Sequence, residues 1–281
     1  MDSKALPTSS LVRQATAAVP TLNQNESPKY SYRGLLLTDL SAALVSSTFV
    51  SPLVAIIDKS VVSNASGRQS LGEGLRAGLK DLFTAPHKFV RQPTFMIMFA
   101  VYSGTYAVAN WTETICNHYD QPWQFPKFVA SSIANIGLSL LRDKLLAQWF
   151  GSTAKARPLP PLSYGCFIAR DCLTIAASFN LPPAMAPWIQ KQVGWSRDNC
   201  EIAAQLITPV GVQFLSTPLH LTGLDLYNRP GITTAQRMSF LKKETGPTTA
   251  IRMVRILPAF SLGGVANKWM RMRGREYFRE N

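Results

Sequence analysis

The chain has 281 residues, 46% of them hydrophobic, a formal charge of +13 and a mean hydropathy of +0.03. An ordinary soluble domain shows a similar mean hydropathy, so bulk composition does not argue for membrane insertion. The basic excess suits either anionic lipid or nucleic acid, but no Lys/Arg run exceeds two residues and no zinc-ligand spacing, RNA-recognition aromatic motif or basic helix leading into heptads is present, which leaves nucleic acid unsupported.

In chain order, residues 1–30 carry Asp2, Lys4, Arg13 and Glu26 without an apolar core. This excludes a secretory signal peptide and reads as a disordered tail ahead of a membrane domain over 31–281. Six apolar stretches follow, at 34–57, 92–110, 128–150, 162–188, 201–224 and 253–272. Each is long enough to cross a bilayer if its few polar residues face protein or water. Small residues recur in them, as in Ser41-Ala42-Ala43 and Gly263-Gly264-Val265-Ala266, and allow membrane helices to approach closely. Trp111, Trp123, Trp149, Trp188, Trp195 and Trp269 fall at or just beyond the ends of these stretches, as an aromatic belt requires. A soluble helical bundle that buries the same stretches is the competing reading. The stretches 70–83 and 234–244 are amphipathic, with Leu71, Leu75, Leu79 and Leu82 on one helical face, and are expected to lie along the membrane surface. Residues 151–161 leave little room for a third such helix.

The connections after the first, third and fifth stretches, with their flanks, hold sixteen of the 29 Lys/Arg residues, against three in the other two. That asymmetry places the odd connections on one face, although the termini add nine more basic residues on the other. Repetition supports a modular plan. Ser51-Pro52-Leu53 recurs as Thr217-Pro218-Leu219, followed by Asp58 and Asp225, and Arg142-Asp143 stands halfway between. Arg91, Arg170 and Arg255 form a second spaced series. The expected fold is an all-α membrane protein of six transmembrane helices in three two-helix pseudo-repeats, at about 31–120, 121–195 and 196–281.

This plan resembles the mitochondrial carrier family. The likeness rests on Pro86, Arg91, Pro93, Phe99 and Tyr102 in the first repeat and on Pro247, Arg252, Arg255 and Pro258 in the third. It departs from the family's pattern where Asp58-Lys59 sits late after Pro52 and where Ser103 and Asn180 follow Tyr102 and Phe179. The resemblance implies a multi-pass protein of a mitochondrial membrane, the inner one expected, moving a small anionic metabolite such as a carboxylate through a central cavity, with anionic lipid, cardiolipin included, around it. The alternative it leaves open is a non-transporting homologue that acts as an adaptor or receptor through turns such as Leu226-Tyr227-Asn228-Arg229-Pro230.

Arg170-Asp171 is the sharpest chemical feature, because ionisable residues deep in an apolar stretch are costly unless they pair or meet water. Arg170 is the expected carboxylate anchor and Asp171 its companion; an interhelical ion bridge is the equal alternative. Arg91 and Arg255 are expected to add positive field. Asp58, Lys59, Arg142, Asp143, Asp225 and Arg229 are the candidates for gate ion pairs. Asp39 is expected to pair within the bundle and His220 to be a packing residue. The remaining histidines, His87 and His118, and the scattered Cys116, Cys166, Cys172 and Cys200 offer no metal or redox motif. With no Gly-rich phosphate loop, nucleophile elbow or catalytic constellation, neither an enzyme nor a cofactor is expected.

Overall fold

The computed structural model of the chain describes residues 31–152, 158–179, 181–258 and 262–278; the expected tail, residues 1–30, lies outside them. Every regular element among the described residues is helical. The first, α1 (Tyr32–Ala65), runs for 34 residues and contains Pro52. It starts at Ser31, whose hydroxyl accepts from the Gly34 amide and so meets one of the free donors at a helix start. At about 1.5 Å per residue its length exceeds the roughly 30 Å hydrocarbon thickness of a bilayer.

The amphipathic stretch that follows is α2 (Leu71–Thr84). It opens with a capping box in which the Ser70 amide donates to the Glu73 carboxylate at 3.1 Å and the Glu73 amide to the Ser70 hydroxyl. The Ser70 hydroxyl, which donates to the same carboxylate at 2.7 Å, and the Ser70 amide together hold the Glu73 carboxyl below the usual glutamate range. Gly74 and Gly78 bring α2 against Ser60 and Ile56 of α1, and Leu71, Leu75 and Leu82 pack on the main core, while Phe83 remains 80% exposed. The short α3 (Pro86–Phe89) and the long α4 (Pro93–His118) both begin on proline, where the missing amide costs nothing.

Then come α5 (Gln124–Phe150), α6 (Pro161–Phe179), α7 (Leu181–Val193), α8 (Arg197–Gly211), α9 (Gln213–Asn228), α10 (Thr234–Pro258) and α11 (Gly264–Tyr277). Neighbours in the bundle run α1 to α4, α4 to α5, α5 to α6, α6 to α9 and α9 to α10, and both α10 and α11 return to α1. The chain therefore closes into a ring. α7 and α8 pack on each other beside it, around Ala186, Ile189, Cys200 and Ala204.

Three expected single spans are divided, 201–224 at Val212 between α8 and α9. The stretch 162–188 is shared by α6 and α7, and Pro182-Pro183 falls in the first turn of α7, where proline is tolerated as it is not in a helix interior. The stretch 253–272 is shared by α10 and α11, and the expected surface helix at 234–244 is the first part of α10 rather than a separate element.

Composition alone marks only Tyr32–Ala65 and Asn199–Asn228 as long and apolar enough to cross a membrane among the described residues. The rest of the bundle carries its signal in the distribution of polarity. Leu37, Phe49, Phe125, Ile133, Leu162, Phe214, Leu215 and Val265 are exposed, whereas Asp39, Asp58, Arg142, Asp143, Arg170, Asp171 and Arg252 are buried. Water as the outer solvent favours the reverse arrangement; lipid favours this one.

The α6–α9 contact depends on Gly223, since a Cβ there would stand 2.5 Å from the ring of the fully buried Phe167. Gly223→Val is expected to cost about 1–3 kcal/mol through overpacking, read as a lower melting temperature of the detergent-solubilised chain. An unchanged melting curve would contradict so close an approach.

Candidate functional site

The charged residues of α1, α5, α6 and α10 converge inside the ring. Asp58 of α1 takes a 2.5 Å bond from Arg255 of α10 and lies 3.7 Å from Arg142 of α5. Arg142 also donates to its neighbour Asp143 at 3.0 and 3.1 Å. The second oxygen of Asp143 accepts from Arg170 of α6 at 2.6 Å. Arg170 donates from Nε and Nη2 to Oδ1 of Asp171, at 3.0 and 2.7 Å, and its Nη1 is 2.8 Å from Nδ1 of His220 on α9. A guanidinium only donates, so His220 accepts there through Nδ1. One continuous network thus ties five helices together.

Arg252 of α10 is the member that this network does not neutralise. It is 2% exposed, and it donates from Nε to Oε1 of Gln213 at 3.2 Å. Gln213 is held in turn by Ser216, which donates to the same oxygen at 3.1 Å, and by its own amide bond to the Pro209 carbonyl. Among the described residues no carboxylate pairs with Arg252; those nearby, Asp58, Asp143 and Asp171, are engaged by Arg142, Arg170 and Arg255. Four guanidinium groups against three carboxylates leave one positive charge.

The charged cluster forms one wall of a cavity of about 360 Å³, which is lined by Tyr102, Thr105 and Tyr106 of α4, Ser132, Asn135 and Ser139 of α5, Thr174 and Ser178 of α6, and Arg142, Arg170, Asp171, Gln213, Arg252 and Arg255. Hydroxyls, an amide and guanidinium groups thus share the lining of one small space. Among the described residues no three ligating side chains converge to hold a metal ion.

A second cluster marks the other end of α1. Arg271 of α11 donates to Asp39 at 2.7 Å and to Glu113 of α4 at 2.9 Å; Glu113 also accepts from Lys127 of α5 at 2.6 Å. Thr114 donates to Asp39 at 2.5 Å, and Asn110 and Asn267 exchange amide bonds at 2.8 and 3.0 Å. Asp39 and Asp58 are nineteen residues apart on α1, about 28 Å along a helix. The Asp39 cluster joins α1, α4, α5 and α11, whereas the Asp58 cluster joins α1, α5, α6, α9 and α10.

Of the residues singled out in the sequence, Asp58, Arg142, Asp143, Arg170, Asp171 and Arg255 come together. Arg170 reaches the cavity wall, but its guanidinium is committed to Asp143, Asp171 and His220. Arg91 does not join them. It is exposed in the turn before α4 and does not line the cavity, because that turn lies on the surface beyond α3. Lys59 stands over the Phe150 ring at 5.6 Å, outside the ion network. Asp225 and Arg229 pair in the last turn of α9, with Arg237 of α10 2.9 Å from Asp225. The turn 226–230, an expected partner contact, is buried in part: Tyr227 is fully buried, the Asn228 carbonyl and side chain accept from Ser152, and Arg229 lies over the Phe240 ring at 4.4 Å, while Pro230 is exposed. Arg252 was visible in the sequence only as part of a proline-arginine pattern. Gln213, at the α8–α9 junction, carried no signal.

Removing one partner from a buried pair strands the other. Asp143→Asn is therefore expected to destabilise the chain by about 3–5 kcal/mol, whereas exposed Arg91→Ala stays within about 0.5 kcal/mol. Thermal unfolding in detergent, followed by size-exclusion fluorescence, compares them. Equal melting temperatures would contradict the network.

A comparison with curated proteins finds no match. A family model described as "Probable citrulline exporter" matches residues 42–274. That family is distinct from the mitochondrial carriers, so the match overturns the carrier resemblance and removes its support for a mitochondrial location. The residues behind the resemblance, prolines and arginines spaced along the chain, serve a general need of helices packed around a polar interior. The chain belongs to the probable citrulline exporter family, a family of transporters rather than enzymes.

Proposed function

We propose that this chain exports a small amino acid of the citrulline type across a membrane, through the cavity between its helices, with Arg252 holding the substrate carboxylate. The observation that carries this reading is the buried guanidinium of Arg252, which lines the cavity without a carboxylate partner among the described residues. A buried charge left unpaired is costly, and a carboxylate entering the cavity meets that need with charge-assisted bonds. The uncharged ureido group of citrulline suits the opposing Ser132, Asn135, Thr174 and Ser178. The cavity volume also falls within the roughly 300–1,000 Å³ of small-molecule sites. Citrulline has no net charge at neutral pH, so the expected anionic metabolite gives way here to an amino acid.

Residues 31–281 act in this reading as one unit of six crossings in three helix pairs: α1 with α4, α5 with α6, and α9 with the second half of α10 and α11. Support comes from the outward apolar faces, from the closed ring of contacts, and from the equivalent positions of Ser51 and Thr217, both fully buried ahead of prolines. The Asp58–Arg255 pair closes the cavity toward the connection-rich face, backed there by Asn64 donating to Glu244 at 2.6 Å. Release on that side requires those bonds to part. Arg76, Lys80 and Lys88 on α2 and α3, beside exposed Phe83, are suited to anionic head groups at the membrane surface.

Purified protein in liposomes loaded with L-citrulline is expected to exchange external radiolabelled L-citrulline. Arg252→Gln keeps the Gln213 contact available but removes the charge, and is expected to weaken binding about ten- to a hundredfold, the range for a hydrogen bond to a charged group. Exchange by folded Arg252→Gln protein at the unaltered apparent affinity would refute the assignment.

A further inference from the structure

The cavity has a second unmet group. Asp171 is 8% exposed and lines the cavity. Its Oδ1 is occupied by two bonds from Arg170, whereas its Oδ2 is buried without a donor among the described residues. A carboxylate oxygen in that position is unsatisfied unless a donor arrives from the cavity. Arg252 presents the opposite deficiency on α10, a guanidinium without a carboxylate. The two deficiencies are complementary in sign, and they come from different helices lining one space.

We propose that Asp171 is the ammonium site of this cavity, so that Oδ2 of Asp171 and the guanidinium of Arg252 together select the zwitterionic head of an α-amino acid. The assignment rests on the reading of the cavity as a transport site and adds to it the basis of selectivity. Arg170 is then a positioning residue: by holding Oδ1 it leaves Oδ2 as the oxygen without a donor, and Asp143 and His220 fix Arg170 in that role. A ligand with a carboxylate alone satisfies Arg252 and leaves Oδ2 bare. A ligand with an amine alone does the reverse and adds a cation to a site that already has an excess guanidinium. An α-amino acid satisfies both, whatever its side chain, which assigns discrimination among amino acids to the hydroxyl and amide wall formed by Ser132, Asn135 and Thr174.

Calorimetric titration of the full chain in detergent tests this with L-citrulline, with 5-ureidopentanoic acid, which lacks the ammonium, and with 4-ureidobutylamine, which lacks the carboxylate. The wild-type chain is expected to bind L-citrulline about ten- to a hundredfold more tightly than either analogue. In Asp171→Asn, whose side-chain oxygen still accepts from Arg170, the preference over 5-ureidopentanoic acid is expected to collapse toward unity, while Arg252→Gln weakens both ligands. Equal wild-type affinity for L-citrulline and 5-ureidopentanoic acid overturns the ammonium site and leaves the transport reading intact. So does an Asp171→Asn protein that loses both ligands in equal proportion, because Asp171 then acts only by supporting the network. If the variant does not fold, the wild-type ligand series decides alone. Wild-type protein that binds other L-amino acids but not L-citrulline sustains the ammonium site and refutes the citrulline reading; binding of no amino acid refutes both.

Discussion

An ionised side chain inside a bundle that faces hydrocarbon costs several kcal/mol unless other groups of the protein or water compensate it. Asp58, Arg142, Asp143, Arg170, Asp171 and Arg255 meet that constraint jointly, Asp58 and Asp143 each between two guanidinium groups and Asp171 on the guanidinium of its neighbour Arg170. The helix contributing any one of these residues cannot move away without stranding a partner on another, so α1, α5, α6 and α10 are held at a common level. The ring of helices and the cavity inside it both depend on this charge balance. The surplus guanidinium of Arg252 and the unused oxygen of Asp171 are where the balance is left open.

Polarity is arranged inside out around this centre. Phe49, Phe125, Ile133, Phe214 and Val265 are exposed on the outside, and Ser132, Ser139, Thr174 and Ser178 line the cavity. The same helix therefore has to serve two solvents. α5 shows how: exposed Ile133 sits between Ser132 and Asn135 of the cavity wall, within one turn. The Asp39–Arg271–Glu113 cluster repeats the ionic solution at the opposite end of α1, but within α1, α4, α5 and α11 only. The two clusters differ in reach, which suits a cavity tied across the bundle at one level and joined on one side at the other.

Much of the helical content was legible in the sequence because α1, α4 and α5 are continuous apolar runs with clear starts, Ser31 as a cap and Pro93 at a first turn. Breaks at other places were less visible. Pro182-Pro183 signals the start of α7 as readily as a kink within one span, and the amphipathic stretch 234–244 gives no sign that it continues as one helix to Pro258. Arg170-Asp171 was recognisable because charge deep in apolar sequence is rare, and Asp58, Arg142-Asp143 and Arg255 were recognisable by their spacing. Which of the arginines remains unpaired was not, since it depends on partners 39 to 197 residues away, such as Gln213 for Arg252 and Asp58 for Arg255. The carrier resemblance failed for a related reason. Spacing of prolines and ion pairs describes how helices surround a polar interior, and unrelated families meet the same requirement.

The central claim is that a water-filled, substrate-binding cavity lies inside a lipid-facing bundle. Single cysteines placed at Ser132 and at Ile133 in a cysteine-free chain, reconstituted in liposomes and exposed to a membrane-impermeant thiol reagent, test it most directly, because adjacent positions on α5 face opposite solvents. The account predicts rapid modification at Ser132, slowed by L-citrulline, and none at Ile133. Modification of Ile133 but not Ser132, or modification of Ser132 that L-citrulline leaves unchanged, would contradict it.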